Sequence, residues 1–400
     1  MPLISTYTRF GGEHPETAAL TNVLAASGLR APHTGQPFSE ALLFGIGGGL
    51  GAGYILWEFH EHSIKVLVLG FHHLWQYPMR YYQALCDRLG VAVSMPETGS
   101  LKAADHMLQT ALTQGQPAVA WVDRAHLPYL QLPEALKGHI GHILSICGQD
   151  GDQLLVDDRA AQPFHVPADV MANARSRIPS YKSRLLLVEH IGACDLRAAV
   201  TSGLQACAEH LSSDSDSFSL PTYRKWARMM TDSKNKKGWP SLFEDRRGLY
   251  ATLRSAFEGI ELDVGAGALR GLYAQFLDEA AGIINNDRLP NVAEMYRMLA
   301  QRWHALAEAA LPDDVPALAE TKALLRQRHA TIQLGGDAWR SSRPVTETLR
   351  TMSARYNLDF PMPDPAVQTL FVTLQTHLSG LYEAETAAHQ ALKDAIAWSG

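Results

Sequence analysis

The stretch Gly138–Asp158, GHIGHILSICGQDGDQLLVDD, reads as a β-hairpin, and the first half of the chain is organised around it. An apolar run over Ile140–Cys147 leads into a tight turn over Gly148–Asp152, and Leu154-Leu155-Val156 forms the returning strand. Glycine and aspartate between two β-rich runs are the strongest short-range hairpin signal. His142 stands near the start of the first strand and Asp157-Asp158 close the second. Such a hairpin brings an imidazole beside a carboxylate, the pair that orients a general base in Ser- and Cys-nucleophile enzymes. The plainer reading of the same pattern is structural.

Upstream, His14-Pro15-Glu16-Thr17 predicts a helix start, with Pro15 where a missing N–H costs nothing and Glu16 at the positive end of the dipole. That helix runs to Gly28, and Ser39-Glu40 cap a short helix over Ala41–Phe44. Strands are predicted at Tyr54–Phe59, Lys65–Phe71, Val91–Met95 and Pro117–Val122, with helices at Pro78–Leu89 and Leu101–Leu112. Phe164–Val166 and Arg184–Glu189 are expected as edge or outer strands. The glycine-rich run Gly45–Gly53 invites a nucleotide reading, but here a helix precedes the glycines and a strand follows them. A dinucleotide loop needs the reverse order, and no P-loop GK[ST] is present. Close backbone packing is the reading that remains.

From about Leu196 strand signals vanish and helical periodicity takes over, with Ser212–Ser219 as a linker candidate. Stripes over Leu269–Ile284, Val292–Leu306 and Val367–Tyr382 are read as bundle core. The expected fold class is α+β: a mixed domain over 1–192, then an all-helical domain over 193–400.

Composition narrows the function classes. At 400 residues, with 46% hydrophobic and 19% charged residues, the chain is long enough for two cored domains. A net charge of -6 argues against a nucleic-acid binder. No apolar run reaches the roughly 18 residues of a membrane span, and the N-terminus MPLISTYTRF lacks a signal-peptide pattern. Four cysteines without CxxC spacing fit free thiols in a reducing cytoplasm. The pairs His60/His62 and His72/His73 could suggest a metal, but His60-Glu61-His62 lies in a polar turn, and the expectation is no metal and no cofactor.

PFSEALLFGIGGGLGAGYI (Pro37–Ile55), VDRAHLPY (Val122–Tyr129) and HILSICGQDGDQLLVDDR (His142–Arg159) together resemble the butirosin biosynthesis protein H family. KKGWPSLF (Lys236–Phe243) and LYAQFLDEAA (Leu272–Ala281) resemble the helical domain of unknown function that follows in such proteins. The resemblance implies a papain-like N-terminal domain and aminoacyl transfer from a carrier-protein thioester to an amine. It implies a Cys at an early helix start, a His on a strand and an Asp. His142 and Asp158 occupy the His and Asp positions, and Pro15 stands where the Cys is expected.

His142 and Asp158, with His14 and Glu16 flanking the replaced position, are therefore the catalytic candidates; Gly47, Gly48, Gly49, Thr17 and Tyr129 are the substrate-binding ones. Two classes of function follow. One is an acyl or aminoacyl transferase of natural-product biosynthesis working without a covalent Cys intermediate, with His142 as base. The other is a catalytically degenerate papain-like domain that binds a metabolite, a carrier protein or a partner subunit. The expected partners are a small-molecule amine or acyl substrate, an acyl carrier protein and a second copy of the chain, with neither nucleic acid nor membrane.

Overall fold

Six antiparallel strands and a helix laid across them form the frame for the hairpin. The computed structural model describes residues 3–59 and 64–397. The strands are β1 (Leu50–Phe59), β2 (Ile64–His72), β3 (Val91–Ser94), β4 (Ala118–Asp123), β5 (Gly141–Asp150), β6 (Gln153–Asp157), β7 (Phe164–Pro167) and β8 (Leu185–Ile191). The helices of the first half are α1 (Pro15–Ala26), α2 (Glu40–Ile46), α3 (Pro78–Leu89), α4 (Leu101–Thr113) and α5 (Ala168–Ser176). Those that follow are α6 (Leu196–Ser212), α7 (Pro221–Met229), α8 (Trp239–Leu242), α9 (Leu249–Glu261), α10 (Arg270–Ile284), α11 (Leu289–Ala310), α12 (Pro316–Gln333), α13 (Arg343–Tyr356) and α14 (Asp364–Ala397).

The chain divides into two compact units. The first comprises Met1–Leu43, Gln83–Leu196 and Gln327–Thr346; the second comprises Phe44–Tyr82, Arg197–Arg326 and Glu347–Gly400. A single cut at 192/193 does not reproduce this division. The hairpin β1–β2 belongs to the second unit, and a short stretch from the helical half returns to the first.

In the first unit the sheet order is β3-β8-β4-β5-β6-β7, antiparallel throughout. The predicted hairpin is β5–β6, with its turn at Gly151-Asp152 and a bulge between Ile146 and Gly148. Of the two strands expected at the edge or outside, one lies at the edge and the other inside the sheet. β7 is an edge, whereas β8 lies between β3 and β4, because its apolar start Leu185-Leu186 is wholly buried against β4. A helix laid on an antiparallel sheet, with the His strand at its centre, is the arrangement of a papain-like fold.

α1 is fixed to the sheet by polar bonds as well as by Leu20, Val23 and Leu24, all buried. Ser145 Oγ donates to Ala19 O at 3.0 Å, and Asn22 Nδ2 donates to Asp157 Oδ2 at 2.8 Å. Buried polar groups of this kind cost stability unless paired, so they also fix the helix's register on the sheet.

In the second unit, all described elements after Leu196 are helical, and β1–β2 packs with α7 and α9. Its core holds a fully buried Arg270. The guanidinium donates to Glu385 Oε1 (2.8 Å), Ala268 O (2.7 Å) and Tyr223 Oη (3.1 Å), and lies against the rings of Phe71, Tyr223 and Trp303. Trp303 Nε1 also donates to Glu385 Oε1, at 2.7 Å. Among the described residues no helix is long and apolar enough to cross a membrane.

Candidate active site

The first turn of α1 is closed by its own side chains. His14 is the N-cap, with φ −97° and ψ 120°; its Nδ1 lies 2.8 Å from Thr17 Oγ1 and accepts the Thr17 N–H at 3.4 Å. Its Nε2 pairs with Glu16 Oε2 at 3.0 Å. The Glu40 carboxylate accepts the backbone N–H groups of Glu13 (2.9 Å) and His14 (2.8 Å). Pro15 follows as the first helical residue, which suits its fixed φ and missing N–H. His14, Pro15 and Thr17 are buried, and Glu16 is partly exposed.

His142 lies opposite Val122 across β4–β5. Its Nε2 is 2.9 Å from both carboxylate oxygens of Asp158, the residue after β6. Alternation along the strand sends Asp157 toward Asn22 of α1 and Asp158 toward the imidazole. Burial alone would raise the Asp158 carboxyl. The His142 imidazole, the Arg159 guanidinium and the Tyr129 hydroxyl together hold it well below the usual carboxylate range. An ionised carboxylate only accepts, so Nε2 carries the proton and Nδ1 is the basic nitrogen left for a reacting group.

Tyr129 Oη donates to Asp158 Oδ2 at 2.8 Å, and its ring lies flat on Phe164 of β7, with centroids 3.8 Å apart. It is 1% exposed, so its polar end is spent on Asp158 rather than offered to a substrate. Thr17 is equally enclosed, its hydroxyl and N–H turned to His14. Arg159 holds a left-handed backbone (φ 62°) and donates from Nη1 to Glu13 O at 2.9 Å. Non-glycine residues in that region are characteristic of constrained sites.

The site also holds Asp157, which the sequence pattern does not mark as functional. Burial pushes its carboxyl up to about 6, against the pull of donors from Tyr7 and Asn22. Tyr7 Oη donates to its Oδ2 at 2.6 Å. The crevice between α1 and the sheet, lined by Pro15, Ala18, Asn22, Ile143, Asp157 and Asp158, is too narrow to admit water.

Gly47, Gly48 and Gly49 belong to the second unit, where they serve packing. Gly49 has φ 60°, and a Cβ there would fall 2.4 Å from the Tyr273 ring. His72 and His73 lie in that unit as well, the His73 ring edge-on to His210 at 4.9 Å; His60 and His62 fall outside the described residues. The cysteines are free thiols, and Cys86, Cys147 and Cys207 are buried.

The family described as butirosin biosynthesis protein H, N-terminal, matches residues 14–159, and a domain of unknown function, DUF4872, matches residues 171–329. The first match begins at the N-cap of α1 and ends one residue beyond Asp158. No curated protein matches the chain.

Proposed function

We propose, for a chain whose N-terminal domain belongs to the butirosin biosynthesis protein H family, that it serves antibiotic biosynthesis as an acyl or aminoacyl transferase without a covalent enzyme intermediate. The observation that carries the reading is the 2.9 Å contact of His142 Nε2 with Asp158, which leaves Nδ1 as a base of defined direction. An amine attacks the carbonyl carbon of an activated thioester, and its N–H proton passes to His142 Nδ1. The tetrahedral adduct then collapses, the C–S bond breaks, and the proton leaves with the thiolate. Because the thioester is already activated, the amine needs no enzyme nucleophile. Asp158 orients the ring and stabilises the imidazolium. Glu16, partly exposed beside His14, is the acidic group proposed to meet the amine.

A second reading, a papain-like domain that binds a metabolite, carrier protein or partner subunit without turnover, is favoured by Pro15. The proline removes both the thiol and the backbone N–H at that position, and the first turn of α1 is closed by its own side chains. The two readings part in one experiment. The chain is incubated with an aminoacyl thioester and an excess of amine, and amide is followed by mass spectrometry. Transfer predicts amide formation that falls roughly 100-fold in His142→Ala, with no acyl-enzyme mass at any time. Amide at the uncatalysed rate in both proteins, with intact folding, leaves the binding reading.

A further inference from the structure

Two loops carry the groups around Asp158. One runs over 127–131 and brings Tyr129; the other runs over 158–162 and brings Asp158 and Arg159. Both are fastened to 327–346, the stretch of the chain's second half that belongs to the first unit. Arg328 donates to Leu130 O. Gln131 Nε2 donates to Trp339 O at 3.1 Å and to Ser342 Oγ at 2.9 Å. The Ala161 N–H donates to Gln333 O at 2.9 Å. Gly335, at φ 74°, comes so close that a Cβ would fall 2.1 Å from Gln162 O. Gln131 itself is left-handed, at φ 51°. A non-glycine residue persists there only where its surroundings over-determine it.

Tyr129 sits between these anchors and the dyad. Its ring is held flat against Phe164, and its hydroxyl meets Asp158 Oδ2, an oxygen that also lies 2.9 Å from His142 Nε2. We infer that Tyr129 is a positioning residue for the His142–Asp158 pair and that 327–346 sets its place, so the chain's second half completes a site carried by its first. The inference deepens the proposed function and rests on His142 being the base, but its geometry can be read without turnover. A donor on Oδ2 fixes the carboxylate and, through it, the direction of Nδ1. It also takes up part of the negative charge that would otherwise hold the imidazolium proton. The charged groups around Tyr129 are Asp158, Arg124 and Arg159.

The test is the titration of the His142 ring by nitrogen NMR in the full chain, its signal assigned by loss in His142→Gln. Tyr129→Phe keeps the stacked ring and removes only the donor; the His142 midpoint should rise by about half a pH unit or more. Gln131→Ala and Ser342→Ala touch neither His142 nor Asp158, yet each should move the midpoint by at least about 0.2 unit while thermal unfolding stays cooperative. Should Gln131→Ala destabilise the fold, Ser342→Ala, which deletes a single hydroxyl, carries the test. Midpoints unmoved in Tyr129→Phe would overturn the positioning role. Movement there with none in either anchor variant would overturn the part assigned to 327–346. A midpoint that moves as expected in a chain with no turnover means that the catalytic reading has failed and this one has not.

Discussion

Asp157 and Asp158 are neighbours in the chain, yet their carboxyl groups are driven in opposite directions. Asp157 faces α1, where burial outweighs the Tyr7 and Asn22 donors and lifts it to about 6. Asp158 meets His142, Arg159 and Tyr129, which overcome its burial and hold it ionised. Pairs of acids pushed apart by their surroundings mark places where a fold separates a structural group from a chemical one.

A pH dependence of stability follows from that split. A carboxyl raised from about 3.9 to about 6 favours the folded state below its unfolded value, and that contribution is lost as pH rises through the folded value. Asp157→Asn keeps an acceptor for Tyr7 and Asn22 and removes the titration. The unfolding free energy of the native chain minus that of Asp157→Asn should fall by about 2 kcal/mol between pH 4 and 7, measured by urea titration. Asp158 has the opposite sign: its contribution is present above the unfolded value and disappears only as pH falls through the depressed folded one. A flat difference across that window would mean that Asp157 titrates as an ordinary carboxyl.

Arg270 and Glu385 give a prediction confined to the second unit. Both are wholly buried, and Glu385 Oε1 also accepts from Trp303. Glu385→Gln leaves a buried guanidinium without its counter-charge, and chemical denaturation should show a loss of about 3–5 kcal/mol. The double substitution Arg270→Met with Glu385→Leu should lose much less, because no uncompensated charge remains. Equal losses in the two would assign the stabilisation to packing rather than to the charge pair.

Much of this arrangement is legible locally, and the rest is not for identifiable reasons. The hairpin and α1 show in the sequence because turn chemistry, a proline at N1 and apolar periodicity act over a few residues. Membership of β1–β2 in the second unit depends on packing with α7 and α9, residues more than 140 positions away. The return of 327–346 is equally silent, since it is written in single polar contacts such as Gln131 with Ser342. The helix Ala168–Ser176, ADVMANARS, is silent in the sequence because it lacks a side-chain cap and a clear apolar stripe. Of two adjacent aspartates, only the pleat decides which one meets the histidine.

Pro15→Cys asks whether the site retains the geometry of a working Cys–His–Asp arrangement. It places a thiol at the first position of α1, where the positive end of the helix dipole favours a thiolate. The native background is quiet: burial pushes the Cys86 thiol up to about 12 and that of Cys207 up to about 11, and raises Cys147 as well. Cys194 is the half-exposed one and is exchanged for Ser in the same chain. If His142 and Asp158 face the new thiol, its alkylation rate by iodoacetamide should rise through a midpoint below the free-thiol value of about 8.5. Adding His142→Ala should return that midpoint toward the free value. With an aminoacyl thioester the Pro15→Cys chain should accumulate an acyl-enzyme mass that the native chain never shows, because the attacking group is now covalent. A midpoint at the free-thiol value, unmoved by His142→Ala, would mean that the imidazole does not face the start of α1. The His142–Asp158 pair would then be a structural bond of the hairpin, and the transferase reading would fall with it.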